Sequence, residues 1–155
     1  MAARPQPAIP LIAHVVFRFD YGGLENGLVN LVNRLPAARF RHAIVALDGI
    51  GEEFRRRLQR PDVTVMSIDK QPGKDLPSYY RMWRTLRRLR PAIVHTRNLG
   101  TLDMQLAAVA AGVRRRVHGD QQHRVRRPRR RHPPPEQFHL LRTLEHVLGS
   151  QRRVG

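Results

Sequence analysis

The chain has 155 residues, which is enough for one domain with a buried core and too few for two full domains. It contains no cysteine, so disulfide bonds, thiolate metal sites and cysteine nucleophiles are excluded, and the composition fits a reducing, cytoplasmic location. No apolar run is long enough to span a bilayer, and the first ten residues do not form a secretory signal. We therefore expect a cytoplasmic protein that begins at Met1.

The net charge of +17 is unevenly distributed along the chain. Residues 113–155 hold 12 arginines against Asp120, Glu136 and Glu145, so the last quarter of the chain carries more than half of the positive excess. A basic surface attracts nucleic acid, anionic lipid or a diphosphate substrate. The sign of the charge alone does not choose among these partners.

Short apolar segments alternate with amphipathic segments over residues 9–119. The apolar segments predict β-strands at residues 9–19, 42–47, 63–68, 92–96 and 116–118. The segments between them predict helices at residues 24–35, 52–58, 78–90 and 102–112. This alternation predicts an α/β fold with a Rossmann-like parallel sheet and helices on both faces, preceded by an N-terminal extension over residues 1–8.

The turn between the first strand and the first helix contains Gly22 and Gly23. Adjacent glycines let the backbone bend tightly and leave no side chain over the unpaired N–H groups of the helix start, a place that suits a phosphate. The alternative is that the two glycines only make a short connection. Glu25, in the first helical turn, suits the positive end of the helix dipole without any ligand.

Ligands of parallel α/β sheets collect at the carboxyl ends of the strands. In this chain those ends carry Gly22 and Gly23, Asp48 and Gly49, residues 95–98, and residues 118–120. His14 and His95 belong to apolar strands, where a histidine is usually a packed residue that is hydrogen-bonded to a neighbour. We interpret both as buried residues, with a catalytic role as the alternative.

The character of the sequence changes after Gly119. Residues 121–135 are almost entirely Arg, His, Gln and Pro, so they cannot bury enough apolar surface to fold and we expect them to be disordered or extended. Apolar residues then return at helical spacing and predict a short helix over residues 136–148. The predicted domain therefore spans residues 9–119, and residues 120–155 form a basic tail.

In the order of three segments, the chain resembles the N-terminal half of GT-B glycosyltransferases. These are the Gly-Gly-Leu-Glu turn at residues 22–25, the sequence RPAIVHTRN at residues 90–98, and Arg-Val-His-Gly at residues 116–119. The chain is similar to the retaining, nucleotide-sugar-dependent transferases of bacterial exopolysaccharide and lipopolysaccharide assembly, including those found near exosortase-type systems. The resemblance covers residues 10–119 and implies that these residues form one half of a GT-B fold.

The resemblance also implies roles for individual residues. Gly22 and Gly23 would lie beside the donor diphosphate, Arg97 and Asn98 would edge the acceptor cleft, and His118 would face the transferred sugar as the catalytic residue. The implied activity is that of a hexosyltransferase, with a nucleotide-diphosphate sugar as donor and a glycan or lipid-linked acceptor. No metal ion or other cofactor is expected.

The chain also departs from this family. GT-B enzymes carry a C-terminal domain that binds most of the donor through a basic pair and a Glu-rich motif, and no such sequence follows Gly119. We therefore expect a truncation or frameshift near residue 120, and little or no activity from this chain alone.

Two other hypotheses follow from the charge. In the first, the arginines of residues 114–131 neutralise the phosphates of a nucleic acid, although this tail lacks aromatic residues for base stacking. In the second, the arginine-faced helix before Pro91 contacts anionic lipid, with Tyr80 or Trp83 at the interface. The second hypothesis is compatible with glycosyltransfer to a lipid-linked acceptor.

Overall fold

The structure is a computed structural model that describes residues 8–119. The predicted basic tail and its helix at residues 136–148 lie outside the described residues, as do residues 1–7.

Five strands and four helices alternate along the described chain. The strands are β1 (Leu11–Val16), β2 (Arg41–Ala46), β3 (Thr64–Ser67), β4 (Ile93–Arg97) and β5 (Arg115–Gly119). The helices are α1 (Gly23–Arg34), α2 (Glu52–Arg55), α3 (Leu76–Leu89) and α4 (Met104–Ala110), with a short 3-10 turn over Leu99–Thr101.

All five strands pair in parallel, in the order β3-β2-β1-β4-β5. The predicted Rossmann-like α/β sheet is therefore confirmed. Its central strand β1 is buried along its whole length, as the apolar residues on both sides of His14 indicated.

The helices cover both faces of the sheet, as predicted. On one face, Leu28 and Val32 of α1 pack with Phe54 of α2 against Val16 and Ile44. The other face holds a second apolar cluster, which includes Met82 and Leu86 of α3 and Met104 of α4. Each helix has one apolar side, and burial of that side against the sheet places the helices in layers on its two faces.

The first strand is shorter than the predicted residues 9–19, because the chain leaves the sheet after Val16. Phe19 instead pairs with Ile50 in an isolated bridge, and its ring packs edge-on against Phe54 with 5.1 Å between the ring centres. The apolar character of Phe19 thus reflects burial beneath a loop and not membership of the strand.

Helix α3 begins two residues before the predicted position. The Asp75 carboxylate accepts a hydrogen bond from the Ser78 backbone N–H at 3.2 Å, and Pro77 occupies the first turn. The helix ends at Arg90, whose backbone is left-handed with φ 48°. Within residues 8–119, no helix combines the length and apolar character needed to cross a membrane.

Three histidines form a hydrogen-bonded row through the centre of the sheet, on the face covered by α1. His14 Nε2 lies 3.1 Å from His42 Nδ1, and His14 Nδ1 lies 3.3 Å from His95 Nδ1. All three side chains are at most 1 % exposed. The interpretation of His14 and His95 as buried residues bonded to neighbours therefore agrees with the structure, and His42 is a third member of this row.

Burial holds these imidazoles in the neutral form. It is the main cause that lowers the pKa of His42 to about 4, helped by the nearby Arg60 charge. Burial and the charge of Arg97 lower the pKa of His95 to about 3. The pKa of His14 lies well below its ordinary value, first because of burial and then because of its neighbour His95.

We expect the free energy of unfolding to fall as the pH is lowered below about 6.5, the ordinary pKa of histidine. The unfolded chain then binds protons that the buried row cannot bind, and the loss continues until the folded pKa values of about 4 and about 3 are reached. Each histidine contributes a slope on the order of 1 kcal/mol per pH unit. Urea unfolding of wild type and His95→Gln between pH 7 and pH 4 measures this slope.

The variant Ile12→Val is the matched control, because it removes one buried methyl group from β1, the strand next to that of His95, without changing a titratable group. It should lower stability by about 1 kcal/mol at every pH. An equal pH slope in wild type and His95→Gln would contradict the assignment of His95 as a neutral, buried residue.

Candidate functional site

The carboxyl ends of β1 and β4 meet at the centre of the sheet. The chain proceeds from β1 through β2 to β3 on one side, and from β4 to β5 on the other, so the connections diverge between β1 and β4. Such a divergence opens a crevice at the strand ends, where doubly wound folds bind their ligands. Gly22 and Gly23 follow β1, and Arg97 and Asn98 end or follow β4, so these two predicted pairs lie after neighbouring strands at the same edge of the sheet.

The loop that leads from β1 into α1 is held by backbone hydrogen bonds to the loop after β2. The Phe19 N–H donates to the Gly49 carbonyl at 3.2 Å, and the Gly51 N–H donates to the Phe19 carbonyl at 2.8 Å. Asp20 accepts from the Tyr21 N–H at 2.8 Å. These bonds fix the position at which α1 begins.

Gly22 is the residue that precedes α1, and no described side chain caps this helix start. Its backbone is extended, with φ −173°, a conformation that any residue adopts. The backbone therefore does not require glycine here, contrary to the sequence argument that the glycines serve a tight bend. A Cβ at position 22 would meet only the Glu25 carboxylate, the flexible end of a side chain, and a Cβ at position 23 would meet nothing within 4 Å.

The Glu25 carboxylate thus lies against the start of its own helix, as the dipole argument predicted. A phosphate bound at this helix start would lie beside the negative charge of the Glu25 carboxylate. The site at Gly22 and Gly23 therefore suits an anion only if the Glu25 side chain moves aside.

Asn98 follows β4 in a strained backbone conformation. Its φ of 70° and ψ of 156° lie in a region that is populated almost only by glycine. The Asn98 N–H donates to the Gly119 carbonyl at 3.1 Å, and the Asn98 carbonyl accepts from the Thr101 hydroxyl at 3.0 Å. Its side-chain Oδ1 is buried and accepts no hydrogen bond from any described residue. Strain of this kind is concentrated at functional sites.

Arg97 and His118 lie on opposite faces of the sheet. Arg97 is in register with Gly119, whereas His118 is in register with Thr96, and successive residues of a strand point to opposite faces. The alternation places Arg97 on the face that carries α1, together with Gly22 and Gly23. The structure therefore does not bring His118 together with the other predicted site residues on one face, although all lie near the carboxyl ends of the strands.

His118 belongs to a second polar group, under α4. Its Nδ1 lies 2.9 Å from the Thr96 hydroxyl. The Gln105 side-chain amide donates a hydrogen bond to the same hydroxyl oxygen at 2.7 Å. His118 Nε2 is buried and has no hydrogen-bond partner within residues 8–119. The sequence analysis identified His118 and missed Thr96 and Gln105, because no local pattern relates residues of β4, α4 and β5.

Glycine at position 119 permits close approach at the crevice. A Cβ there would lie 3.2 Å from His95 Nε2, a buried atom that makes no hydrogen bond to the part of the chain that the structure describes. Residues 8–119 contain no group of three or more histidine, aspartate or glutamate side chains suited to a metal ion. The prediction that no metal is required stays a prediction.

A parallel sheet with a glycine turn after β1 and polar residues after β4 and β5 defines a Rossmann-like α/β domain. The chain belongs to Glycosyltransferase Family 4, whose family model matches residues 21–149. The predicted glycosyltransferase resemblance is thereby confirmed at the level of the family. The matched range spans the change in composition after Gly119, and the predicted truncation or frameshift stays a prediction. No curated protein matches the chain.

We expect Asn98→Gly to stabilise the protein by about 1 kcal/mol, because glycine adopts the observed backbone conformation without strain. Urea unfolding measures the change. The matched variant Asn98→Ala should be less stable than wild type, since alanine tolerates positive φ less well than asparagine. A glycine variant no more stable than the alanine variant would contradict the strained conformation.

Proposed function

We propose that this chain supplies the acceptor-side domain of a hexosyltransferase that moves a sugar from a nucleotide-diphosphate donor to a glycan or lipid-linked acceptor. The observation that carries the proposal is the match to Glycosyltransferase Family 4 over most of the chain. The carboxyl edge of β1 and β4 supports it, because it carries a helix start and two buried atoms, His95 Nε2 and Asn98 Oδ1, that form no hydrogen bond within residues 8–119. Polysaccharide assembly in the cytoplasm is the setting that fits the resemblance and the absence of cysteine.

The donor diphosphate would lie at Gly22 and Gly23. The first N–H groups of α1 have no side-chain cap there, and N–H groups at a helix start stabilise the negative charge that develops on a leaving diphosphate. This arrangement needs no metal ion. The family resemblance places most donor contacts in a second domain, so we expect residues 8–119 to bind the donor weakly and to have little transferase activity alone.

The acceptor would lie along Arg97 and Asn98. Asn98 offers a buried carboxamide oxygen that can accept a hydrogen bond from a sugar hydroxyl. Arg97 is only 8 % exposed and places a positive charge near the crevice. His118, on the other face, would contact the transferred sugar through Nε2.

Replacement of Gly23 separates a role in binding from a role in folding. A methyl group at position 23 meets no atom within 4 Å, and alanine forms helices more readily than glycine, so Gly23→Ala should stabilise the fold by about 0.5–1 kcal/mol. The same methyl group lies over the proposed diphosphate position, so the affinity for UDP or GDP should fall about tenfold or more. Calorimetric titration and thermal unfolding of one preparation measure both effects.

Glu25→Gln is the complementary variant, because it removes the carboxylate that lies at the helix start. It should bind the nucleoside diphosphate more tightly than wild type, since a like charge is lost. If Gly23→Ala and Glu25→Gln both bind UDP and GDP as wild type does, Gly22 and Gly23 only connect β1 to α1.

We also propose that helices α3 and α4 contact an anionic membrane. Helix α3 contains four arginines and no acidic residue. Trp83 joins it to α4 by donating to the Ala110 carbonyl at 3.3 Å, and the Tyr80 ring lies 5.4 Å from the Trp83 ring. Leu106 and Val109 of α4 and Leu102, just before this helix, are exposed apolar side chains.

We call this surface the α3–α4 face; it comprises Tyr80, Trp83, Arg84, Arg87, Leu102, Leu106 and Val109. Leu106 is 68 % exposed and Tyr80 60 % exposed, so the face presents apolar and aromatic groups among arginines. Arg87 lies over the Trp83 ring at 6.0 Å. Basic groups attract anionic headgroups while apolar side chains enter the acyl boundary, so this composition suits a bilayer that contains anionic lipid.

Flotation with phosphatidylcholine vesicles, with and without phosphatidylglycerol, tests the membrane contact. Each arginine near an anionic surface contributes about 1 kcal/mol, so the double variant Arg84→Glu, Arg87→Glu should lower vesicle binding more than tenfold. The matched control Arg41→Glu, Arg56→Glu changes the same charge outside this face and keeps the arginines of the tail. Equal loss in both double variants would show that net charge, and not the α3–α4 face, causes binding.

No observation favours the nucleic-acid hypothesis. It depends on arginines that lie mostly beyond Gly119, outside the described residues.

A further inference from the structure

We propose that Thr96 and Gln105 are positioning residues that hold His118 in its Nε2–H tautomer. His118 would then present a hydrogen-bond donor to an acceptor oxygen of a bound sugar. The inference rests on the proposed function, in which His118 contacts the transferred sugar.

The orientation of the Gln105 amide is set by a backbone carbonyl. Gln105 Nε2 lies 3.1 Å from the Val117 carbonyl oxygen and 2.7 Å from Thr96 Oγ1. A carbonyl oxygen can only accept, so the atom of Gln105 that faces it must be the NH₂ group. The Thr96 oxygen therefore accepts a hydrogen bond from Gln105.

The Thr96 hydroxyl proton has two possible acceptors. His118 Nδ1 lies at 2.9 Å, a normal hydrogen-bond distance, whereas the Val117 carbonyl lies at 3.5 Å, which is long for a hydroxyl donor. The hydroxyl therefore donates to His118 Nδ1. A nitrogen that accepts carries no proton, so a neutral His118 has its proton on Nε2.

The other imidazole nitrogen of His118, Nε2, then carries the proton and can donate a hydrogen bond. His118 Nε2 is buried and forms no hydrogen bond with residues 8–119. Buried polar groups are rarely left without a partner, and an N–H group binds a hydroxyl or carbonyl oxygen but not a cation. An oxygen of the transferred sugar, which the proposed function places here, meets this requirement.

The tautomer can be measured directly in the full chain. Long-range ¹H–¹⁵N correlation spectra distinguish protonated from unprotonated imidazole nitrogens, and a His118→Gln spectrum identifies the signals of His118. We expect wild type and Thr96→Ser to show a protonated Nε2 and an unprotonated Nδ1. Thr96→Val keeps the shape of the side chain and loses the hydroxyl, so it should show a mixture of tautomers.

Thr101→Val is the matched control. Thr101 is also fully buried near the end of β4, but its hydroxyl is shared between the Arg97 carbonyl at 2.8 Å and the Asn98 carbonyl at 3.0 Å and does not contact a histidine. This variant should keep the wild-type tautomer. An Nδ1–H tautomer in wild type, or an unchanged tautomer in Thr96→Val, would overturn the positioning role.

Titration with UDP-glucose and GDP-mannose tests the link to the sugar. We expect Thr96→Val to weaken binding of at least one of these donors about tenfold, with Thr96→Ser within twofold of wild type. A changed tautomer with unchanged affinities would overturn the sugar contact of His118 and leave the assignment of Thr96 and Gln105 intact. Equal weakening in Thr96→Val and Thr101→Val would mean that loss of a buried hydroxyl, and not the tautomer, alters binding.

Discussion

The parallel pairing of β1 with β4 is the constraint on which the rest of the structure depends. It brings His14 and His95, which are 81 residues apart in the chain, within hydrogen-bonding distance. It also sets the glycine turn after β1 opposite the strained Asn98 after β4. The groups that we assign to the crevice between β1 and β4 come together because these two strands are neighbours and end at the same edge of the sheet.

The polar groups buried in this sheet have a cost that a purely apolar sheet would avoid. Three neutral imidazoles satisfy one another in a row, and the nitrogens at its two ends, His42 Nε2 and His95 Nε2, have no partner among the described residues. The row also couples the tautomers of its members. If His14 donates from Nε2, it must accept at Nδ1, so His95 then carries its proton on Nδ1 and presents a lone pair at Nε2. The proton arrangement at the crevice is thus linked to that at the far end of the row.

The two faces of the sheet have different chemistry. The α1 face carries the positive charge of Arg97, the helix start at Gly22 and the row of histidines. The α4 face carries the hydrogen-bonded group of Thr96, Gln105 and His118. In the proposed function, the α1 face would meet the diphosphate of the donor and the α4 face would meet its sugar.

Much of the fold could be predicted from the sequence, because the apolar runs and the helical stripes are local patterns. They determined the number of strands and helices, the parallel sheet and the coverage of both faces, and the glycine turn and residues 97, 98 and 118 were identified from their places after strands. The extent of the first strand was wrong, since Phe19 is buried by a loop contact that leaves no periodic signal. Only the tertiary structure decided the strand order, the strain at Asn98, the row of His14, His42 and His95, and the separation of His118 from Arg97. These features arise from pairing and register between strands that are distant in the chain, and a one-residue difference in register changes the face to which a side chain points.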